Sequence, residues 1–248
     1  DLGDYLGCYD TPVDTPNIDR IAADGVRFDS HFSTATICSP ARGSIVTGCY
    51  PHTNGLAGLV HRGGELDVDK CRPMPAILSD NGYDTALFGF QHEHWDPYRL
   101  GYRNVYRGKD NHCETVVPLF CDWLTKQKNN GPFFAGIGFS EVHRMGLNPS
   151  HYKKEGYLPV DPSEVRVRPY LPDIKETRED LADFYGVIRY TDKWVGKILD
   201  AIEEAGIAED TILVFTTDHG ASFYHSKATL YEGGTKVALL MQWKGKLP

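Results

Sequence analysis

Residues 73–94 read PMPAILSDNGYDTALFGFQHEH, and the arrangement they imply recurs along the chain. Residues 73–81 predict a helix, Gly82 stops it, and 83–89 form the short apolar run expected of a buried strand. A polar loop, Gln91-His92-Glu93-His94, follows at once. Working outward, Thr15-Pro16-Asn17 opens a helix with Thr15 as cap and Pro16 in its first turn, and Gly25 closes it. Residues 26–32 alternate like a strand, and a second helix is predicted from near Pro40 to Gly48. A further buried strand covers 132–139, and shorter ones cover 211–217 and 237–243. The clearest helix covers 177–205, where Leu181, Phe184, Tyr185, Ile188, Val195, Ile198, Leu199 and Ile202 share one face. Alternation of this kind predicts an α/β fold, with a mostly parallel central sheet flanked by helices on both faces. Residues 98–115 and 148–172 read as long loops, and no repeat or interdomain linker is evident.

The chain has 248 residues, of which 41% are hydrophobic and 25 are glycine, enough for a sizeable core and too apolar for disorder. Lys and Arg total 26 against 34 Asp and Glu, a net charge of −8 that lacks the basic footprint of a nucleic-acid binder. The longest charge-free apolar stretch, near 132–140, is far short of the roughly 20 residues of a membrane helix. Cysteines 8, 38, 49, 71, 113 and 121 form no C-x-x-C pair, which excludes zinc-ribbon and thioredoxin-like chemistry. Asp1 opens the sequence with no signal-type segment before it, and the last strand runs straight into Lys244-Gly245-Lys246. A fragment of a longer protein is the expectation.

Ligands of open α/β sheets bind beyond the carboxyl ends of the strands. His92 follows strand 83–89, His143 and Arg144 follow 132–139, and Asp218 and His219 follow 211–217. Carboxylates gathered with imidazoles suit a divalent metal; single histidines would be structural. A second signal is Cys38-Ser39-Pro40-Ala41-Arg42. A cysteine at a helix start is polarised by the free amides there, and an arginine one turn on offers a fork to an oxyanion. A buried structural cysteine beside a surface arginine is the alternative.

Cys38-Ser39-Pro40-Ala41-Arg42, with Thr47-Gly48, resembles the signature of the type I, formylglycine-dependent sulfatases. Thr15-Pro16-Asn17-Ile18-Asp19, Thr217-Asp218-His219-Gly220 and the KATLYEGG segment at 227–234 are similar to three further motifs of that family, in the same order. The resemblance covers nearly the whole chain and implies an alkaline-phosphatase-like fold, with 1–248 as a sulfatase catalytic domain whose first strand and C-terminal subdomain are missing. It implies hydrolysis of sulfate esters or sulfamates through Cys38 oxidised to formylglycine, whose hydrate attacks sulfur and then expels sulfate.

The resemblance assigns Asp1, Asp218 and His219 to a divalent metal: Ca²⁺, with Mg²⁺, Mn²⁺ or Zn²⁺ as alternatives. Arg42 would hold the hydrate and His92 would act as the base. His143 and Lys227 would bind sulfate, one of them protonating the leaving group. The likeness within the family is strongest to heparan N-sulfatases, on His52-Thr53-Asn54-Gly55, Val142-His143-Arg144 and residues 169–207. Asn54 and Arg144 would then line a pocket for one terminal sulfated sugar. The implied partner is a maturase that generates formylglycine, and the implied location is exported or lysosomal. There are two departures: Phe90 stands where the family carries a lysine, and His219 where animal enzymes carry asparagine. Losing a cation at Phe90 favours, as one alternative, a phosphonate or phosphodiester hydrolase of the same superfamily; the absence of the family's other Asp before Asp1 and the abrupt C-terminus favour another, an inactive binding fragment. Asp192, Trp123, Trp194 and Trp243 read as packing residues, and the other cysteines have no evident role.

Overall fold

The computed structural model describes residues 1–127, 131–144, 152 and 156–247. In chain order the elements are α1 Pro16–Ala23, β1 Val26–Arg27, α2 Cys38–Thr47, α3 Pro51–Asn54, α4 Met74–Asp80, β2 Asp84–Gly89 and β3 Asn104–Tyr106. They continue with α5 Cys113–Lys126, β4 Phe133–Gly138, α6 Lys175–Glu204, β5 Leu213–Thr216, α7 Glu232–Thr235 and β6 Leu239–Gln242. The chain divides into two compact units. A split unit joins residues 1–32 to 141–248, and a continuous unit covers 33–140. No helix among the described residues is long and apolar enough to cross a membrane.

In the continuous unit, β2 lies between β3 and β4 and pairs in parallel with both, with Ala86 opposite Asn104 and Ala135. Thr85 to Gly89 are buried, which explains why this strand reads as an unbroken apolar run. Phe88 meets Tyr106, Trp123 and Phe120 at ring separations of 4.8, 5.3 and 5.5 Å. Leu87 joins Val46, Leu56, Val60, Leu66 and Leu100 in a second cluster. Helix α5 escaped prediction because Pro118 interrupts it. A mid-chain proline reads as a helix breaker, yet α5 buries Val116, Val117, Phe120, Trp123 and Leu124. The predicted loop over 98–115 holds strand β3; that over 148–172 lies partly outside the described residues.

In the split unit the recorded pairings are antiparallel, in the order β1-β6-β5. Between β5 and β6 lies a loop whose one helix, α7, has four residues, too short for the crossover that parallel neighbours need. The predicted strand over 26–32 pairs only at Val26–Arg27, followed by a single bridge from Phe32 to Lys236. Helix α6 starts at Lys175, and all eight of its predicted core residues are buried.

Helix α6 also caps α1. Thr15 sits at the cap position, but its hydroxyl donates to Asp19 at 2.9 Å and accepts the Gly7 amide. Asp192 of α6 takes over, accepting the Ile18 amide at 2.7 Å and the Asn17 side chain at 2.8 Å. A Cβ at Gly196, one turn along, would lie 2.5 Å from the Asn17 side-chain oxygen, so a larger residue there would displace the Asn17 side chain. Burial raises the Asp192 pKa above the ordinary carboxylate value despite these donors. The folded state therefore keeps a proton that the unfolded chain releases, and stability falls as pH rises from the ordinary carboxylate range through the raised value. Asp192→Ala should cost about 1–3 kcal/mol in urea unfolding by stranding the Ile18 amide. Asp192→Asn, which keeps one acceptor, should cost less and abolish that pH slope.

Candidate active site

The loop after β5 places Asp218 and His219, and both face Asp1. Asp1, Asp218 and His219 offer ligand atoms within 4.8 Å of one another. The Asp1 carboxylate, 2% exposed, accepts Lys227 Nζ at 2.8 and 2.7 Å and lies 3.0 Å from His219 Nε2. His143 Nε2 stands 3.9 Å from its other oxygen. Asp218 accepts the His219 amide at 3.0 Å. His219 is fully buried, and its Nδ1 lies 2.9 Å from the Gly220 carbonyl. A carbonyl only accepts, so Nδ1 carries a proton. Nε2 then faces Asp1 Oδ1 and, at 3.5 Å, Asp218 Oδ2. Either a proton on Nε2 or a cation must stand among these groups. An imidazole anchored through its other nitrogen to a carbonyl is the arrangement of a metal-binding histidine, and two carboxylates complete a donor set that fits a divalent ion.

Packing explains the glycines around these residues. A Cβ at Gly220 would lie 1.7 Å from the Gly233 carbonyl, while the Gly220 amide donates to the Gly234 carbonyl at 2.9 Å. The Asp-His-Gly turn and the Glu-Gly-Gly turn are thus pressed backbone to backbone. His225 and Ala228, both left-handed at φ 54 and 62, flank the strand of loop that presents Lys227.

In the continuous unit Cys38 is the first residue of α2, two residues earlier than predicted, and is buried. Ser39, also buried, accepts the Val60 amide at 3.2 Å. Arg42 is clamped on three sides: Nε donates to Glu93 at 3.1 Å, Nη2 to the Phe90 carbonyl at 3.4 Å, and the guanidinium lies 5.1 Å over the Phe90 ring. Phe90, the departure from the family pattern, therefore supplies a ring beneath Arg42 rather than a second cation. His92 follows β2 in the loop, its amide donating to Glu93 at 2.6 Å and its ring nitrogen lying 3.0 Å from His61. Glu93 and His61 were missed because nothing in their spacing marks them; each is revealed only by the partner it holds.

Asn54 is fully buried, its amide donating to the Cys49 carbonyl at 3.1 Å and its oxygen accepting Leu56 N at 2.9 Å. Arg144 is buried, bonded to Asp180, and lies over the rings of Tyr152 and Phe223 at 4.6 and 5.2 Å. His94 is tied to Asp96 at 2.9 Å. Among other cysteines, burial and the neighbouring Asp19 push the Cys8 thiol up to about 12, and a hydrogen bond with Cys49 raises Cys71. Neither offers a thiolate near neutral pH.

Gly220→Ala should force the two turns apart, at a cost of about 1–3 kcal/mol or more from overpacking. Thermal unfolding of the purified variant checks this, and a melting temperature equal to wild type would contradict the contact.

The sulfatase family matches residues 1–248, the whole chain. Human N-sulphoglucosamine sulphohydrolase is 29% identical over 97% of this chain and 53% of its own length. A Bacteroides fragilis protein assigned to the sulfatases, YidJ, superposes with a TM-score of 0.80 at 25% identity, covering 98% of this chain and 66% of that one. Phosphonate monoester hydrolase of Agrobacterium radiobacter has the same fold, with a TM-score of 0.75 at 20% identity over 98% of this chain and 66% of its own. The chain spans about half the length of the curated relatives it matches. With an alkaline-phosphatase-like α/β fold and all four ordered motifs in place, the chain belongs to the sulfatase family.

Proposed function

We propose that the chain carries the catalytic core of an enzyme that releases inorganic sulfate from a sulfated sugar, as an ester or a sulfamate. The observation that carries this reading is Cys38 at the first position of α2, with Arg42 one turn on and clamped by Glu93 and the Phe90 carbonyl. Converted to formylglycine by a maturase, Cys38 would supply the nucleophile that a thiol in this place would not.

Arg42 is held in one orientation before substrate arrives, so it offsets developing negative charge without reorganising. His92 is the base. Lys227 and His143, both beside Asp1, bind sulfate oxygens, and one protonates the departing oxygen or nitrogen. Asp1, Asp218 and His219 hold a divalent cation, which supplies Lewis-acid polarisation of a sulfate oxygen when bound. Oxygen donors favour Ca²⁺, and the imidazole of His219 makes Mn²⁺ or Zn²⁺ the competitors. In this reading Asn54 and Arg144 act on a sugar pocket indirectly, by holding the 47–56 turn and the 142–144 segment. A second reading is hydrolysis of a phosphonate monoester or phosphodiester, which carries the same single negative charge as a sulfate ester and fits a cage with Phe90 in place of a cation.

Two measurements test this. Peptide mass spectrometry across Cys38, on protein co-expressed with a maturase, should show loss of the sulfur and an aldehyde trapped by a hydrazine. The matured protein should then turn over an aryl sulfate faster than an aryl phosphodiester. A persistent thiol leaves a binding role, and the reverse rate order assigns the phosphodiesterase. Separately, metal-stripped protein should gain thermal stability on adding Ca²⁺, by about 3 kcal/mol at a hundredfold excess over Kd. Asp218→Ala should lose that gain, and the order of response to Ca²⁺, Mg²⁺, Mn²⁺ and Zn²⁺ identifies the preferred ion.

A further inference from the structure

His61 stands beside His92, and the geometry of the pair is specific. His61 Nδ1 and His92 Nε2 are 3.0 Å apart, the two rings are inclined by only 3°, and their centroids lie 5.1 Å apart. That separation is what one N–H···N bond and two ring radii span end to end. The bond therefore runs in a common ring plane, the direction in which an imidazole lone pair points, and the faces do not overlap.

The other nitrogen of His92 fixes who donates. His92 Nδ1 is buried with no hydrogen-bond partner among the described residues. A buried N–H without an acceptor is rarer in proteins than an acceptor left short of donors. Nδ1 accordingly carries the lone pair, Nε2 carries the proton, and Nε2–H donates to His61 Nδ1. His61 holds its own proton on its Nε2, where its exposed side chain reaches water.

We propose that His61 is a positioning residue for His92, holding it in the tautomer whose buried Nδ1 can accept a proton. The proposal rests on the reading of His92 as the base. When Nδ1 takes the proton of the hydroxyl remaining on the converted residue 38, the O–H bond breaks with its electron pair left on oxygen to expel sulfate, an N–H bond forms, and His92 becomes an imidazolium. Its Nε2–H bond to His61 is then charge-assisted and stronger than before, so His61 favours the proton-accepting event. The surrounding charges are matched. Glu93, which accepts the His92 amide, also pairs with Arg42, and the Phe90 ring lies 5.7 Å from that of His92. Arg62 follows His61 on the same short turn, 60–62. The Ser39 hydroxyl anchors that turn through the Val60 amide, so the Cys-Ser-Pro-Ala-Arg motif itself sets where His61 stands.

Nitrogen-15 NMR of the histidine rings reads the tautomer without turnover. In the wild type His92 should carry its proton on Nε2, and His61→Ala should convert it to a mixture. In the matured enzyme His61→Ala should lower kcat for an aryl sulfate about 10- to 100-fold, with KM near the wild-type value. His61→Asn, whose amide oxygen can accept in place of Nδ1, should restore most of the rate. Adding His61→Ala to His92→Ala should cost nothing more, since residues acting through one another are not additive. A proton on His92 Nδ1 in the wild type, a tautomer unmoved by His61→Ala, or full additivity would each overturn the proposal. An inactive wild type overturns the enzymatic reading instead, whereas the ring nitrogens report on His61 directly.

Discussion

A carboxylate as buried as that of Asp1 cannot exist uncompensated, and the residues around it follow from that demand. An isolated ion out of water would neutralise or unfold its surroundings. Asp1 is met by the Lys227 ammonium on both oxygens, with His219 and His143 drawn up beside it. Lys227 can reach it only because left-handed residues on either side bend the loop. His219 can face it only because Gly220 lets one turn lie against another. The sequence motifs Asp-His-Gly, Lys and Glu-Gly-Gly are thus one packing solution seen at three places in the chain.

Much of the continuous unit's logic is a parallel answer to a different demand, that of holding one guanidinium still. Arg42 has a carboxylate, a carbonyl and an aromatic face, each from the loop that follows β2. Phe90, where the family resemblance implies a lysine, thus holds Arg42 with both its carbonyl and its ring. A side chain fixed before any ligand binds pays no ordering entropy afterwards.

Legibility in the sequence tracked how local each signal was. The buried face of α6 and the two buried faces of β2 could be read because helical and strand periodicities repeat within a few residues. Cys38, Arg42, Asp218 and His219 could be read because their motifs are contiguous. Asp192 as the cap of α1 could not, since the bond joins residues 174 and 175 positions apart and Thr15 is a sound local candidate for the same task. His61 and Glu93 were hidden for the same reason. Helix α5 was hidden by its own proline, and the antiparallel pairing of β5 and β6 by a connection whose length alone does not reveal its content.

The cap that Asp192 provides also orders events in time. The first 32 residues belong with 141–248, yet all of 33–140 is made before their partners exist. Helix α1, with eight residues and its cap on α6, is too short to persist alone. The three parallel strands of the continuous unit all lie within 33–140, so their pairing needs no residue of the leading segment. On a ribosome, where domains fold as units in order of synthesis, residues 1–32 are made before 33–140 and gain their partners only once 141–248 has followed. The apolar residues of that segment, Leu6, Ile18 and Ile21, lack their native cover through that interval.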